Sequence, residues 1–530
     1  MTGIECKIGG LTLKTFDIYR LEYEACANQP TRLSVRVEAG FYEKPEWAQA
    51  IETLALGSAA SFQLTPPEQS VPLALFSGVL SERRYCLEDH QLHMELICHC
   101  SAIKAGEGVL GYAKNSKVKD DALFKDVLQK AGVTLAGEQA QAAVEYSQRV
   151  LPPVSPWLFA RHLAAANGLV ILSGKDGVSL HKPQAKGSPL QLKLADHQII
   201  GMDLGQNGES AIPDAKVDAW GIKEQKAVST QASQSAGPLK AIAGKLGRKT
   251  VKLRRGDPAS KTVCEADARA RTTRAALAFQ QGSIELEGYL AVSPGGQVKI
   301  DKVPSALQGP YWVGGVRIEL DRQGLRTTLQ LGLDPERFDP PAPLPPPPLM
   351  HGVIQPYKDD PDALQRLPVK LQGLSEPDNV VWARLATPLA GKSRGLYLPP
   401  QPDDEVIVGF LGDCWDYPAI LGAVHNPKQK PPFPYGKEMP KHALVLEKDK
   451  LQLAFDAKDK NIVLASDDKT DLKLSAKDGL IARQNKDTLT LKQGAALNGP
   501  NQGITLSGKK ASIKSDGNVD IKVSGSVNIS

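Results

Sequence analysis

Val381-Trp382-Ala383-Arg384-Leu385-Ala386 is followed by Gly391-Lys392-Ser393-Arg394-Gly395-Leu396-Tyr397-Leu398-Pro399, then by Glu405-Val406-Ile407-Val408-Gly409-Phe410 and Tyr417-Pro418-Ala419-Ile420-Leu421-Gly422. Short β-branched and aromatic runs alternate here with turns rich in Gly, Pro and Ser, the pattern of strand, turn and strand. Residues 351–427 therefore predict a small five-stranded barrel of the OB type. Everything on either side is read relative to this unit.

Before it stands Asp339-Pro340-Pro341-Ala342-Pro343-Leu344-Pro345-Pro346-Pro347-Pro348. Such a run favours a stiff polyproline spacer without internal hydrogen bonds, so residues 339–350 predict a domain boundary. Further upstream, Leu33, Val35 and Val37 alternate at period two, as do Leu92, Met94, Leu96, Cys98 and Cys100, which predicts a first β-barrel over 1–105. Residues 106–338 predict a second barrel region with two helices. One is capped by Asp121, carries Leu123, Phe124, Val127 and Leu128, and stops at Gly132; the other opens at Ser155-Pro156 and ends at Asn167-Gly168. The stretch 221–249, rich in Ala, Ser, Gln, Gly and Lys and with little periodicity, predicts a long surface loop or insertion.

After a connector at 428–443, residues 444–530 become repetitive. Apolar pairs two residues apart recur as Leu451/Leu453, Ile462/Leu464, Leu472/Leu474, Leu489/Leu491, Ile504/Leu506, Val519/Ile521 and Val527/Ile529, and the last ones fall eight residues apart. A repeat this short predicts a β-solenoid or fibrous β-prism. A stripe two side chains wide buries too little within one chain, so three chains around a common axis are expected. The expected class is mainly β: two hub barrels with small helices, an OB-fold and a trimeric β-helical needle.

Composition agrees. The 530 residues are too many for one compact core, 47 Gly and 39 Pro favour turns and strands, and a net charge of +5 is too dilute a field for a dedicated nucleic-acid binder. Seven cysteines at irregular spacing form no disulfide framework, and neither a signal peptide nor an apolar span long enough for a bilayer stands out. Assembly in the cytoplasm is the expectation.

The order of barrels, OB-fold and octad repeat resembles the trimeric hub-and-spike proteins of contractile injection systems, the VgrG proteins of type VI secretion and the hub and puncturing spike of T4-like phage tails. Trp382-Ala383-Arg384, Ala390-Gly391 through Gly395, Asp404-Glu405-Val406-Ile407-Val408-Gly409-Phe410 and Gly422-Ala423-Val424-His425-Asn426 look like the family's W-x-R, A-G-x-x-x-G, D/G-E-V-x-V-x-F and G-x-V-x-N strings. Phe76 to Leu80, Tyr289 to Ile300 and Tyr311 to Val316 look like its hub strands. The resemblance implies a spike seated on a hexameric inner tube and on baseplate proteins, driven mechanically through a target-cell membrane by sheath contraction, with a PAAR-type tip protein and an optional toxin cargo, in a secreted or extracellular particle. Gly525, Ser526, Val527, Asn528, Ile529 and Ser530 would seat the tip protein, since they carry the alternating pattern to its end and leave strand edges needing a cap.

No catalytic, metal or cofactor site is expected. Only Lys428 to Pro440 separates barrel from needle, too little for a glycan-hydrolysing domain with two spaced carboxylates, and Asp404 and Glu405 belong to the barrel motif. His90, His93, Cys98, His99 and Cys100 cluster, but successive strand residues face opposite ways; Asp516, Asn518 and Asp520 lack the glycine of a calcium loop. A nucleic-acid-binding OB-fold using Trp382, Tyr397 and Trp415 beside Arg384, Lys392 and Arg394 is the rival reading, and a spike retaining glycan hydrolysis is another.

Overall fold

A computed structural model of the chain describes residues 3–38, 54–67, 69–88, 91–184, 188–194, 199–233, 238–334, 343–375, 377–447, 450–492 and 495–498. The described chain is mainly β and divides into two compact units, Met1–Val424 and His425–Ser530.

In the first unit, the strands of the two predicted hub barrels join in one 13-stranded sheet. From Leu11–Lys14 the order runs through Gly3–Ile8, Ala59–Thr65, Leu73–Glu88, Gln91–His99, Arg32–Glu38 and Arg20–Cys26, then crosses to Pro310–Asp321, Gly324–Leu331, Gln280–Glu287 and Ile199–Gln206. The crossing is the pairing of Leu21–Cys26 with Gly315–Leu320. Glu22 and Glu319 stand opposite each other there, a repulsive pair on its own. Arg317 neutralises it, reaching Glu22 at 2.8 Å and Glu319 at 3.3 Å, with Arg20 and Arg32 alongside. The alternation read in sequence explains the core: Leu33, Val35, Val37, Leu96, Cys98 and Cys100 all lie inside, while His99 faces the other way and meets Ser81 Oγ at 2.7 Å through Nδ1.

The two expected helices are α1 (Asp120–Lys130) and α2 (Pro156–Ala166). Ser155 caps α2, its Oγ accepting Leu158 N–H at 3.3 Å, and Gly168 follows with φ +65°, a left-handed turn that residues with a Cβ enter at a cost. Asp121 does not cap α1. Lys119 holds that position and the Asp121 carboxylate accepts Ala142 N–H at 3.2 Å, because the strand entering the helix leaves Asp121 already inside it.

The expected loop at 221–249 is a correction. Lys226–Ser233 is a strand paired with Asp214–Gly221, and Pro238–Lys245 is a helix, α3. A fourth helix, α4 (Lys261–Phe279), was not legible from periodicity. It packs on this three-stranded sheet through Cys264 and Ala268 against Ala215, Val217, Ala219 and Val228. Small residues let helix and sheet approach closely, so a segment with no apolar stripe of its own becomes ordered by what it packs against.

The predicted OB barrel closes. Met350–Ile354, Arg366–Leu371, Val380–Leu385, Pro418–Ala423 and Glu405–Phe410 form a five-stranded closed barrel around Ile354, Val369, Leu371, Val381, Val406, Val408 and Ile420. Each such buried side chain contributes about 1.5–3 kcal/mol. Arg366 and Asp360 tie the first turn down: the Asp360 carboxylate accepts Arg366 Nη2 at 2.6 Å and the backbone N–H groups of Asp362, Leu364 and Arg366. Burial pushes the Asp360 pKa up, but these hydrogen bonds outweigh it and hold the carboxyl below its ordinary range.

In the second unit, Lys441–Val445, Gln452–Asp456, Asn461–Ala465, Thr470–Ser475, Gly479–Gln484, Asp487–Leu491 and Ala495–Asn498 form a seven-stranded sheet in which each strand pairs antiparallel with the next. The pairs at 504/506, 519/521 and 527/529, the acidic stretch at 516–520 and the candidate tip seat Gly525 to Ser530 lie outside the described residues.

Candidate functional site

Two features stand out: the joint that holds the OB barrel on the hub, and the face of the C-terminal sheet.

At the joint, the hairpin Leu110–Lys119/Glu145–Val154 presents Arg149 between two carboxylates. Arg149 Nε donates to Asp120 Oδ1 at 2.9 Å, and its Nη1 donates to Asp416 Oδ2 at 2.5 Å. Asp416 Oδ1 accepts Val150 N–H at 2.6 Å, and Asn167 Nδ2 donates to Asp120 Oδ2 at 2.8 Å. Burial alone would lower the pKa of the guanidinium; Asp120 and Asp416 reverse that and hold it well above the ordinary value. Burial pushes the neighbouring Tyr146, Cys414 and Tyr417 up as well, which keeps them uncharged. Gln148 bridges the same elements, its Oε1 accepting Trp382 N–H at 2.6 Å and its Nε2 donating to Asp416 O at 3.1 Å. Lys114 donates to Asp378 at 2.9 Å, and Trp415 Nε1 donates to Pro345 O at 2.8 Å, pinning the end of the proline-rich linker to the barrel. A cleft of about 520 Å³ runs beside the joint, lined by charges of both signs that include Arg255, Asp257, Asp267 and Asp413. Arg255 holds Asp257 at 2.6 Å and Asp267 at 3.3 Å, so these charges are engaged with one another.

Gly412, in the barrel turn Leu411–Asp413, fits against Gly256 with φ +62°, and a Cβ there would fall 2.2 Å from Asp257 N. Gly412→Ala is expected to weaken the joint by about 2 kcal/mol or more, from left-handed strain plus the backbone clash. Urea unfolding followed at the barrel tryptophans checks it: a midpoint matching the parent would show that the turn has room to move.

On the C-terminal sheet, register places Leu444, Leu453, Leu464, Leu472, Ala482 and Leu489 opposite one another in a row, and Phe455, Ile462, Leu474, Leu480 and Leu491 in a second. Partners two apart in a strand share a face, so both rows cover the same side. They are not buried: Leu464 is 54% exposed, Leu474 47%, Phe455 44% and Leu444 43%, and Ala465 alone among the described residues of this sheet is buried. The face is a continuous apolar surface within one chain.

Other residues weighed from sequence are placed as follows. Asp404 accepts Gln401 N–H at 2.7 Å and Glu405 meets His351 Nδ1 at 3.0 Å, both as parts of the barrel wall. His93 is buried against Tyr19, and no group of three metal-ligating side chains comes together among the described residues. Trp382, Tyr397 and Trp415 share no face: Trp415 is buried, Trp382 lies over Arg366 beside the joint, and Tyr397 is fully in the open. They make no stacking platform together. Sequence reasoning missed Arg149, Asp120 and Asp416, isolated charges whose spacing carries no motif.

The sequence model of the type VI secretion system/phage-baseplate injector OB domain matches residues 350–425, the span of the closed barrel. In structure, the chain is similar to the Francisella PdpA-VgrG complex, half-lidded, with TM-score 0.57 and 10% identity over 91% of this chain and 88% of that one. By fold the chain is VgrG-like. It is also similar to an Escherichia coli protein described as a component of the type VI secretion system, structurally similar to the T4 bacteriophage tail proteins gp27 and gp5, with TM-score 0.52 and 14% identity over 79% of this chain and 99% of that one. The model of the Alg8 N-terminal domain matches residues 69–322, just under half of the chain. That span starts and ends inside the hub sheet, whereas the OB match coincides with a complete folded unit. Among curated proteins, none matches the chain in sequence. The VgrG-like fold places the clamp around Arg149 between hub and OB barrel.

Proposed function

We propose that the chain is the central spike of a contractile injection apparatus, acting mechanically as a homotrimer rather than as an enzyme. The observation that carries this is the apolar face of the C-terminal sheet. A surface with eleven in-register positions, nearly all apolar and half exposed, is stable in water only when covered, and a VgrG-like chain covers it with the same face of two further copies. Three copies around one axis make a needle, β-helical in the reading given by the eight-residue repeat. The joint at Arg149 then passes thrust from hub to OB barrel. The hub seats on a hexameric inner tube and baseplate proteins, sheath contraction drives the needle through the target membrane, and a PAAR-type tip protein seats on Gly525 to Ser530 with any toxin cargo. Assembly takes place in the cytoplasm before the particle acts outside it.

The purified full chain should have three times the 57.0 kDa chain mass by light scattering, and truncation after Lys441 should leave folded monomers. A full-length monomer at low micromolar concentration, or a truncated chain that stays trimeric, overturns the reading.

A further inference from the structure

The module that replaces the expected loop touches the joint through Gly256, and away from that contact it carries a pocket and a charge run. The pocket holds about 250 Å³ and lies between α4, Asp214–Gly221 and Val251–Pro258. Its walls are apolar, formed by Ile212, Ala215, Val251, Ala275, Ala278 and Leu333, with Arg271 and Arg274 at the edge. Ala215 and Val251 are direct partners in the parallel pairing, so this side of the pocket is fixed by sheet register. A cavity of about 150 Å³ already takes benzene, so this one takes a single large apolar side chain.

The segment from α3 into the strand beside it is basic. From Pro238 to Gly256 there is no Asp or Glu, while Lys240, Lys245, Arg248, Lys249, Lys252 and Arg254 are all exposed. Among the described residues, Lys240, Lys245, Lys249, Lys252 and Arg254 make no ion pair. Arg248 Nη1 donates to Glu209 O at 2.6 Å, beside the pocket residue Ser210, whereas Lys252, next to the pocket residue Val251 in its strand, lies on the opposite face of the sheet with Lys216. Arg271 spends Nε on Asp267 at 3.0 Å, and its Nη1 and Nη2 make no hydrogen bond among the described residues.

We infer that this module docks an acidic peptide segment of a partner protein, with one large apolar side chain anchored in the pocket and flanking carboxylates on Arg271, Arg248 and the cations of α3. An apolar anchor ringed by charge is how short segments gain both affinity and register. Charge complementarity selects an acidic partner. The pocket favours a peptide over a nucleic acid, because the aromatic available for stacking, Trp220, lies five residues along the strand from Ala215, about 16 Å away. The inference goes beyond the spike reading.

The test uses the full chain and a fluorescein-labelled peptide of alternating glutamate and glycine with one central phenylalanine. Anisotropy should report saturable binding that weakens by about tenfold when the peptide's phenylalanine is replaced by serine, and again in Val251→Trp, which plugs the pocket from its partly exposed rim, and in Arg271→Glu. Circular dichroism should show both variants folded. No binding up to about 1 mM overturns the inference. So does equal binding of the serine peptide, or binding that Val251→Trp leaves intact. Single-stranded DNA or anionic phospholipid vesicles that displace the peptide from the parent and bind Val251→Trp equally well would show a general polyanion surface and would also overturn it.

Discussion

Asp416→Ala is expected to cost about 3–5 kcal/mol and to release the OB barrel from the hub. The side chains of Arg149, Asp120 and Asp416 are 11%, 2% and 9% exposed, so the guanidinium cannot turn to water for a replacement partner. Removing Asp416 leaves Arg149 paired one-to-one with Asp120, so the cost is set by the charged donor Arg149 Nη1 left buried without its acceptor. Val150 N–H loses its acceptor at the same time, adding about 1–3 kcal/mol if it stays dry. Asp120 holds the other edge of Arg149, so Asp416→Ala combined with Arg149→Met should cost more than Asp416→Ala alone by exposing Asp120. Hydrogen exchange should show faster exchange at Gln148 to Leu151 and at Trp382 while the barrel strands stay protected. Protection unchanged at both places, with a urea midpoint near the parent's, would mean that the barrel is held by its apolar contacts and that the clamp is incidental.

Leu464→Asp together with Leu474→Asp should abolish assembly while leaving the protomer folded. Both side chains lie on the apolar face and are about half exposed within one chain, so a protomer loses little by the exchange. In a threefold assembly each change occurs three times in a closed interior. Losing about 1.5–3 kcal/mol per leucine and burying a carboxylate in its place exceeds what a micromolar complex can absorb. Sedimentation velocity should shift from trimer to monomer with the circular dichroism spectrum kept. A double variant that sediments as trimer would show that the hub holds the copies together and that the face is covered by something else.

The OB barrel was legible because each of its elements announces itself locally: alternation in Val381 to Ala386 and Glu405 to Phe410, and turns at Gly391 to Gly395. Helix α2 was legible for the same reason, with Ser155 and Pro156 at one end and Gly168 at the other. Helix α4 was not, since its alanines and arginines trace no apolar stripe. The signals that would have found it are Ser260, whose Oγ accepts Val263 N–H, and the spacing of Glu265/Arg269 and Asp267/Arg271 at i, i+4. Lys226–Ser233 read as loop because its Ala, Ser, Thr and Gln side chains suit many conformations, and pairing with Asp214–Gly221 selects one.

By itself the sequence determined the mainly β class, the position of the OB barrel, the proline-rich break before it and the sparse apolar pairs of the C-terminal region, because each depends on neighbours within a few residues. Tertiary structure alone decided that Leu21–Cys26 pairs with Gly315–Leu320 across the hub, that Arg149 meets Asp120 and Asp416, and that the apolar pairs align into two rows on one open face. Those outcomes join residues tens to hundreds of positions apart. Charge pairing and strand register depend on distance in space, and no local pattern of residues encodes it.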